Sequence, residues 1–261
     1  MKIIRHGTSY PKKLIRRNLI EKNFLIGFML LFSISYLFFS FKNINTPNAE
    51  SFVILFSMLL GVLLCLFCIW ILRKIDQFFI RTENNLGKAR AGNEGEKVVC
   101  DELKRILDNN YVAYQNFKIP GRRFDVDFLI LGPKGLIAME VKNSSSHFSF
   151  STHEAIRIKG KGYTQEVTRL TGDFDPRVKL KNHCKSLNYY FYLIGLKEVR
   201  VKKVLVFVGG SIGIEGKAGI YIVKKLGELN KYFESLDNDN RFTPEFCASV
   251  SSKLKNHRRK R

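Results

Sequence analysis

Two long apolar runs without a charged residue come early in the chain, and shorter apolar segments alternate with polar ones after them. The runs are Phe24–Phe41 (FLIGFMLLFSISYLFFSF) and Phe52–Leu72 (FVILFSMLLGVLLCLFCIWIL). At about 1.5 Å of helical rise per residue each crosses a hydrocarbon core of roughly 30 Å, the first only just. The link Lys42–Ser51, with Asn45-Thr46-Pro47-Asn48, suits a tight turn outside the bilayer. The pattern predicts a transmembrane helical hairpin, 24–41 and 52–72, behind a leader at 1–23. Residues 73–91 read as a polar helical connector. From Gly92 the periodicity becomes that of a mixed α/β domain, 92–236. Asn93 is expected to cap a helix reaching about Asp108, with Val99, Leu103, Ile106 and Leu107 as its apolar stripe. Strands are expected at Tyr111–Phe117, Val126–Leu131, Leu136–Val141, Val204–Val208 and Ile220–Val223. Helices are expected at Arg177–Ile194, Lys225–Leu236 and Pro244–Lys255. The last belongs to a basic tail, 237–261. The stretch Asn143–Pro176 is polar, basic and weakly periodic.

Charge orients the hairpin. The leader carries Lys2, Arg5, Lys12, Lys13, Arg16, Arg17 and Lys22 against the single acid Glu21. Arg73 and Lys74 follow the second run, whereas the link holds only Lys42 and Glu50. The positive-inside rule therefore puts both termini in the cytoplasm, with the protein in the inner (cytoplasmic) membrane. A cleaved signal peptide is the competing reading of the first run. The long basic leader, the lack of an A-x-A-like site and the second run argue against it. The net charge of +21 favours polyanions, either nucleic acid or anionic headgroups. Cys65 and Cys68 fall inside an apolar run and the other three cysteines are scattered, so no disulfide framework or zinc site is indicated.

The segment Phe124–Asn143, FDVDFLILGPKGLIAMEVKN, carries the chemistry. Two apolar strands flank the turn Gly132-Pro133-Lys134-Gly135. If Leu131 pairs with Leu136, Asp127 lies opposite Glu140 and Asp125 opposite Lys142. Alternation puts Glu140, Lys142 and Asp127 on one face with Leu129, Leu131, Leu136 and Ala138. The other face, from Val126 to Val141, is apolar too, so the hairpin belongs in the middle of a covered sheet. Two facing carboxylates in such a place repel each other, and either one holds a proton or a cation lies between them. A hard divalent ion with oxygen ligands meets that need, Mg²⁺ first and Mn²⁺ as the alternative. Glu96 lies on the apolar stripe of the first helix and is a third acid for the group. The plainer reading is a cross-strand ladder of salt bridges through Asp125, Asp127, Glu140 and Lys142.

Gly92-Asn93-Glu94-Gly95-Glu96, Asp127 with Gly132-Pro133-Lys134-Gly135, and Glu140-Val141-Lys142-Asn143 together resemble the nuclease-related domain, a branch of the PD-(D/E)xK nucleases. The resemblance runs from Gly92 into the strand at Val204–Val208. It implies a restriction-endonuclease-like mixed sheet flanked by helices. It also implies Glu96, Asp127 and Glu140 as metal ligands, the Val141 carbonyl as a further one, and Lys142 as the catalytic lysine. Relatives often carry Asn-Pro-x-x-Gln before the next helix. Here it reads Asp175-Pro176-Arg177-Val178-Lys179, and Lys179 in the Gln position suits a phosphate contact.

Softer candidates for a nucleic-acid backbone are Arg122, Arg123, Lys159 and Lys161, joined by Arg157 and Tyr163, with Phe148 and Phe150 as stacking aromatics. Solvated loop charge explains each basic residue singly as well. His147, His153 and His183 show no metal spacing and read as surface or packing residues. The expected function is a membrane-anchored, metal-dependent nuclease acting on nucleic acid, DNA before RNA. The alternatives are a catalytically silent, membrane-tethered nucleic-acid-binding module and a scaffold whose basic surface meets anionic lipid.

Overall fold

The structure, a computed structural model, describes residues 1–5, 27, 51–122, 124–160, 164–215 and 220–259. The chain divides into two units, Thr8–Arg90 and the combination of Met1–Gly7 with Ala91–Arg261. Apart from Gly27, the expected span 24–41 and the link at 42–50 lie outside the described residues. The stretch Phe52–Leu72 lies in helix α1, Ser51–Ile106. Among the described residues no helix is long and apolar enough to cross a membrane. Helix α1 runs through 73–91 without a break, so Asn93 stands inside a helix rather than capping one. No proline interrupts this stretch, and Gly87, Gly92 and Gly95 weaken a helix by about 1 kcal/mol each without stopping it.

The strands are β1 (Lys2–Arg5), β2 (Val112–Lys118), β3 (Asp125–Gly132), β4 (Gly135–Lys142), β5 (His147–Phe150), β6 (Ala155–Lys159), β7 (Glu166–Arg169), β8 (Val201–Phe207), β9 (Ser211–Ile214) and β10 (Tyr221–Val223). Helices α2 (Pro176–Leu193), α3 (Leu229–Glu234) and α4 (Pro244–Arg259) complete the unit. This is a mixed α/β fold. A six-stranded sheet has the order β1-β2-β3-β4-β8-β10, antiparallel across β2-β3-β4 and parallel elsewhere. The second sheet, β7-β6-β5-β9, occupies much of the stretch that carries little periodicity in sequence. Strand β1 comes from the leader and pairs in parallel with β2.

The β3–β4 hairpin sits in the middle of the large sheet, with Leu131 opposite Leu136 and Gly132 opposite Gly135. A β-carbon on Gly132 would lie 2.2 Å from the Tyr111 ring, so only glycine lets the turn close over that tyrosine. One face of the sheet meets α2 through Leu180, Cys184, Leu187 and Phe191, and α4 through Val250 and Leu254. The residues expected to form a separate tail therefore contribute to the core. The other face meets α1 through Val99 and Leu103, Leu107 just after it, and α3 through Leu229, Tyr232 and Phe233. Each fully buried aliphatic or aromatic side chain contributes about 1.5–3 kcal/mol, which is why the hairpin lies here and not at an edge.

Candidate active site

The site lies where the large sheet forks. The β3–β4 ladder stops at Phe128 opposite Met139. Beyond that pair β4 continues against β8 as far as Lys142 opposite Phe207, and β3 continues against β2 as far as Asp125 opposite Lys118. Asp127 fills the opening with its side chain: its Oδ2 accepts the Val141 N–H at 2.6 Å. The N–H and C=O of one strand residue point to the same neighbour, so the Val141 carbonyl also faces the fork.

Strand β2 is altered at the same level. Gln115 pairs with Phe128 and Phe117 with Val126, while Asn116, opposite Asp127, drops out of the ladder. Asn116 has φ 54°, the left-handed region, and no other non-glycine among the described residues has a positive φ. Asparagine tolerates this conformation better than most residues. The Gln115 Nε2 donates to Glu96 Oε2 at 3.2 Å, and the nearby Asn116 side chain favours the charged form of that carboxylate. Glu96 arrives from α1, held close by its neighbour Gly95. A β-carbon on Gly95 would lie 2.6 Å from Asn143 Cβ, and the Asn143 Nδ2 donates to the Ala91 carbonyl at 2.8 Å. These two contacts tie the end of β4 to α1.

The acids are unequal. Glu140 is 1% exposed, and its Oε1 accepts from Lys142 Nζ at 2.8 Å and from Lys179 Nζ at 2.5 Å. Burial pushes its pKa up, but the two ammonium groups outweigh that and hold it below the ordinary glutamate value. Asp127 goes the other way. Burial first, and then the neighbouring Glu140 charge, raise its carboxyl well above the usual aspartate range. In the protein alone, therefore, the proton is held more readily by Asp127 than by Glu140. Burial also raises Glu96. Lys179 is raised: burial opposes its charge, but the bond to Glu140 prevails. His183 stands one turn after Lys179, stacked on Phe124 with ring centres 4.2 Å apart, its Nδ1 3.9 Å from Glu140 Oε2. Burial lowers its pKa, which leaves the ring neutral near pH 7.

The structure thus brings Glu96, Asp127, Glu140, Lys142 and Lys179 to one neighbourhood. Lys142 and Glu140 pair along one strand rather than in a cross-strand ladder, and Asp125 lies opposite Lys118, not Lys142. Arg122 is in an exposed turn after β2, and Lys159 is at the exposed end of β6 opposite Glu166. Arg123 and Lys161 lie outside the described residues. Sequence reasoning missed Gln115, Asn116 and His183. A Lys–His pair four apart on one helix face was the signal for His183. Nothing in the sequence signals the interrupted ladder at Asn116.

A divalent metal fits this donor set in part. The Glu140 Oε2 is buried with no hydrogen-bond partner among the described residues, and Asp127 is desolvated beside it. Among the described residues, however, no group of three or more His, Cys, Asp or Glu side chains could hold one ion. The direct protein donors are then two carboxylates and a carbonyl. That is the small protein share Mg²⁺ takes when waters and a phosphate complete its shell.

Residues 91–208 match the family model described as the nuclease-related domain. No curated protein and no solved structure matches the chain. The matched stretch holds all five residues of the site, and the domain it marks is nuclease-related.

Proposed function

We propose that this domain hydrolyses phosphodiester bonds of nucleic acid with a divalent metal, Mg²⁺ or Mn²⁺, at the fork between β3 and β4. The observation that carries the reading is the buried pair Asp127 and Glu140 at the fork, the first bonded only to the Val141 N–H and the second held by two lysines with its Oε2 unpartnered among the described residues. A module that only binds phosphate gains nothing from buried acids, which repel it. Asp127, Glu140 and the Val141 carbonyl would hold the ion, with Glu96 reaching it through water. When bound, such an ion polarises a phosphate oxygen and lowers the pKa of a coordinated water. Lys142, freed from neutralising Glu140, orients the attacking water or stabilises charge on the scissile phosphate. Lys179, where relatives often carry glutamine, suits contact with a second phosphate oxygen. The order α1-β2-β3-β4-α2-β8 fits a restriction-endonuclease-like core. DNA is the first substrate we assign, before RNA.

The same reading anchors the chain to a membrane by a hairpin at 24–41 and 52–72. In α1, Leu59, Leu63, Leu66, Phe67 and Trp70 each expose more than half of their surface. Such a row is unfavourable in water and ordinary in lipid. Arg73 and Lys74 then follow Trp70, as at a cytoplasmic interface.

The test uses the full chain in detergent micelles. Plasmid, linear duplex, single-stranded DNA and RNA are incubated with Mg²⁺, Mn²⁺ or EDTA, beside Glu140→Ala and Lys142→Ala proteins whose folding is checked by circular dichroism. Cleavage is expected to need metal and to fall about 10²-fold or more in both variants. If the folded wild type cuts nothing yet binds nucleic acid equally in EDTA, the silent binding module replaces the enzyme.

A further inference from the structure

Helix α2 begins in the site and leaves it with an outer face unlike that of a solvated helix. Its sequence, PRVKLKNHCKSLNYYFYL, contains four basic residues and no acid. Its inward face is Leu180, His183, Cys184, Leu187, Tyr190 and Phe191. On the outward face Asn182, Lys185, Tyr189 and Tyr192 follow one another at three- and four-residue spacing, one exposed stripe along the helix. Tyr189 is 60% and Tyr192 53% exposed, and the Lys197 ammonium lies over the Tyr192 ring at 5.3 Å from its centre.

The stripe has a fixed beginning. Phe174, 83% exposed, stands on the turn just before α2. Among the described residues no large hydrophobic side chain is more exposed. The turn is braced: the Asp175 N–H donates to the Gly172 carbonyl at 3.1 Å, and the Asn182 Nδ2 donates to Asp173 Oδ1 at 3.3 Å. The second bond sets the Phe174 turn beside the start of the stripe. A single exposed apolar residue needs no explanation. Two exposed tyrosines on one helix stripe, an exposed phenylalanine on the turn at its start and lysines beside them, all on the helix that carries Lys179, do.

We infer that this stripe is a track for single-stranded nucleic acid, with unpaired bases stacking on Phe174, Tyr189 and Tyr192 and phosphates meeting Lys185 and Lys197. The inference rests on the nuclease reading and gives that reading a substrate class: strands whose bases are free to turn outward. Flat rings bind any base through its face, whereas a paired duplex hides those faces and offers only its backbone. Charge complementarity favours this occupant, since the stripe supplies cations and no carboxylate apart from Asp173, which Asn182 already engages.

The test is fluorescence anisotropy in EDTA, so that cleavage plays no part, with the full chain in micelles. The probes are a labelled oligothymidylate and a blunt hairpin duplex. The wild type is expected to bind the single strand more tightly. The Tyr189→Ala/Tyr192→Ala protein, and separately Phe174→Ala, should lose about tenfold or more for the single strand. Both should bind the duplex within about twofold of wild type, because backbone contacts carry duplex affinity. Tyr189→Phe/Tyr192→Phe should behave as wild type, since the rings remain. Unchanged single-strand binding in the alanine proteins overturns the track, and so does a wild type that binds both DNAs alike. In a Tyr189→Trp protein, read against the wild-type background, oligothymidylate should quench the new fluorescence. A blue shift in phosphatidylglycerol vesicles without that quenching gives the face to lipid and overturns the inference. A wild type that binds the single strand but never cuts with Mg²⁺ removes the nuclease reading alone.

Discussion

Asp127 is the least comfortable residue of the site, and its discomfort is measurable. Burial and the Glu140 charge raise its carboxyl above the ordinary range. A raised folded pKa means that the bound proton stabilises the fold at acid pH. That contribution is complete below the unfolded value of about 3.9 and is lost as pH rises through the folded value. Asp127→Asn keeps an oxygen for the Val141 N–H and removes the ionisation. In EDTA the asparagine protein should be more stable than wild type at pH 8, by about 1 kcal/mol, with the difference vanishing near pH 3. Thermal unfolding across that range checks it, and an asparagine protein less stable at pH 8 would sink the account. At this scale the sequence was informative for the acids and Lys142, because alternation across a short turn fixes which side chains share a face. It was silent on Gln115 and Asn116, whose role depends on a ladder interruption that no periodicity records. His183, without metal spacing, reads from sequence as a surface or packing residue. Its place beside Glu140 follows from the fold of α2 over the sheet, a long-range fact.

Elements follow the same division. The hairpin β3–β4 and helix α2 were legible because their apolar faces repeat at two and at three to four residues. Strands β5, β6, β7 and β9 were not: each has only four or five residues, and β6, β7 and β9 show no regular alternation of burial. What fastens this second sheet to α2 is a buried ion pair. Arg177, two residues into the cap of α2, donates to Asp175 Oδ2 from Nη2 at 2.9 Å, and both side chains are about 6% exposed. The same guanidinium donates to the Ser151 carbonyl and to the Glu154 carbonyl at 2.8 Å, across the β5–β6 turn. It also lies 4.9 Å from the centre of the Phe150 ring. Removing one partner of such a pair strands a buried charge. Arg177→Met, which keeps the apolar stem, should cost about 3–5 kcal/mol, and Asp175→Asn added to it should restore part of the loss. Thermal unfolding of the four proteins of that cycle measures the coupling. A cost below about 1 kcal/mol for Arg177→Met would show the bolt to be surface-like.

For the whole molecule, the first strand constrains the topology more tightly than the charge pattern does. Residues 2–5 pair with β2, so the start of the chain and the domain at 91–261 belong to one unit and one compartment. Any segment between them that enters a bilayer must cross it an even number of times. One crossing is ruled out by the sheet itself, because β1 and β2 cannot pair through a membrane. The two apolar runs therefore act as a hairpin or not at all as spans. On the membrane reading proposed above, the positive-inside rule assigns the shared compartment to the cytoplasm. The predicted outcome is specific. In cells expressing the full chain, a membrane-impermeant maleimide should label Thr46→Cys, in the link, without permeabilisation. Ser252→Cys, in α4, should be labelled only after the membrane is opened. Labelling of Ser252→Cys in intact cells would reverse the orientation while keeping the hairpin. A Thr46→Cys protein that stays unlabelled until permeabilisation would leave the link inside and remove the crossing altogether. The nuclease reading would survive that last result, since the site is built wholly from residues of the unit that contains both β1 and the fork.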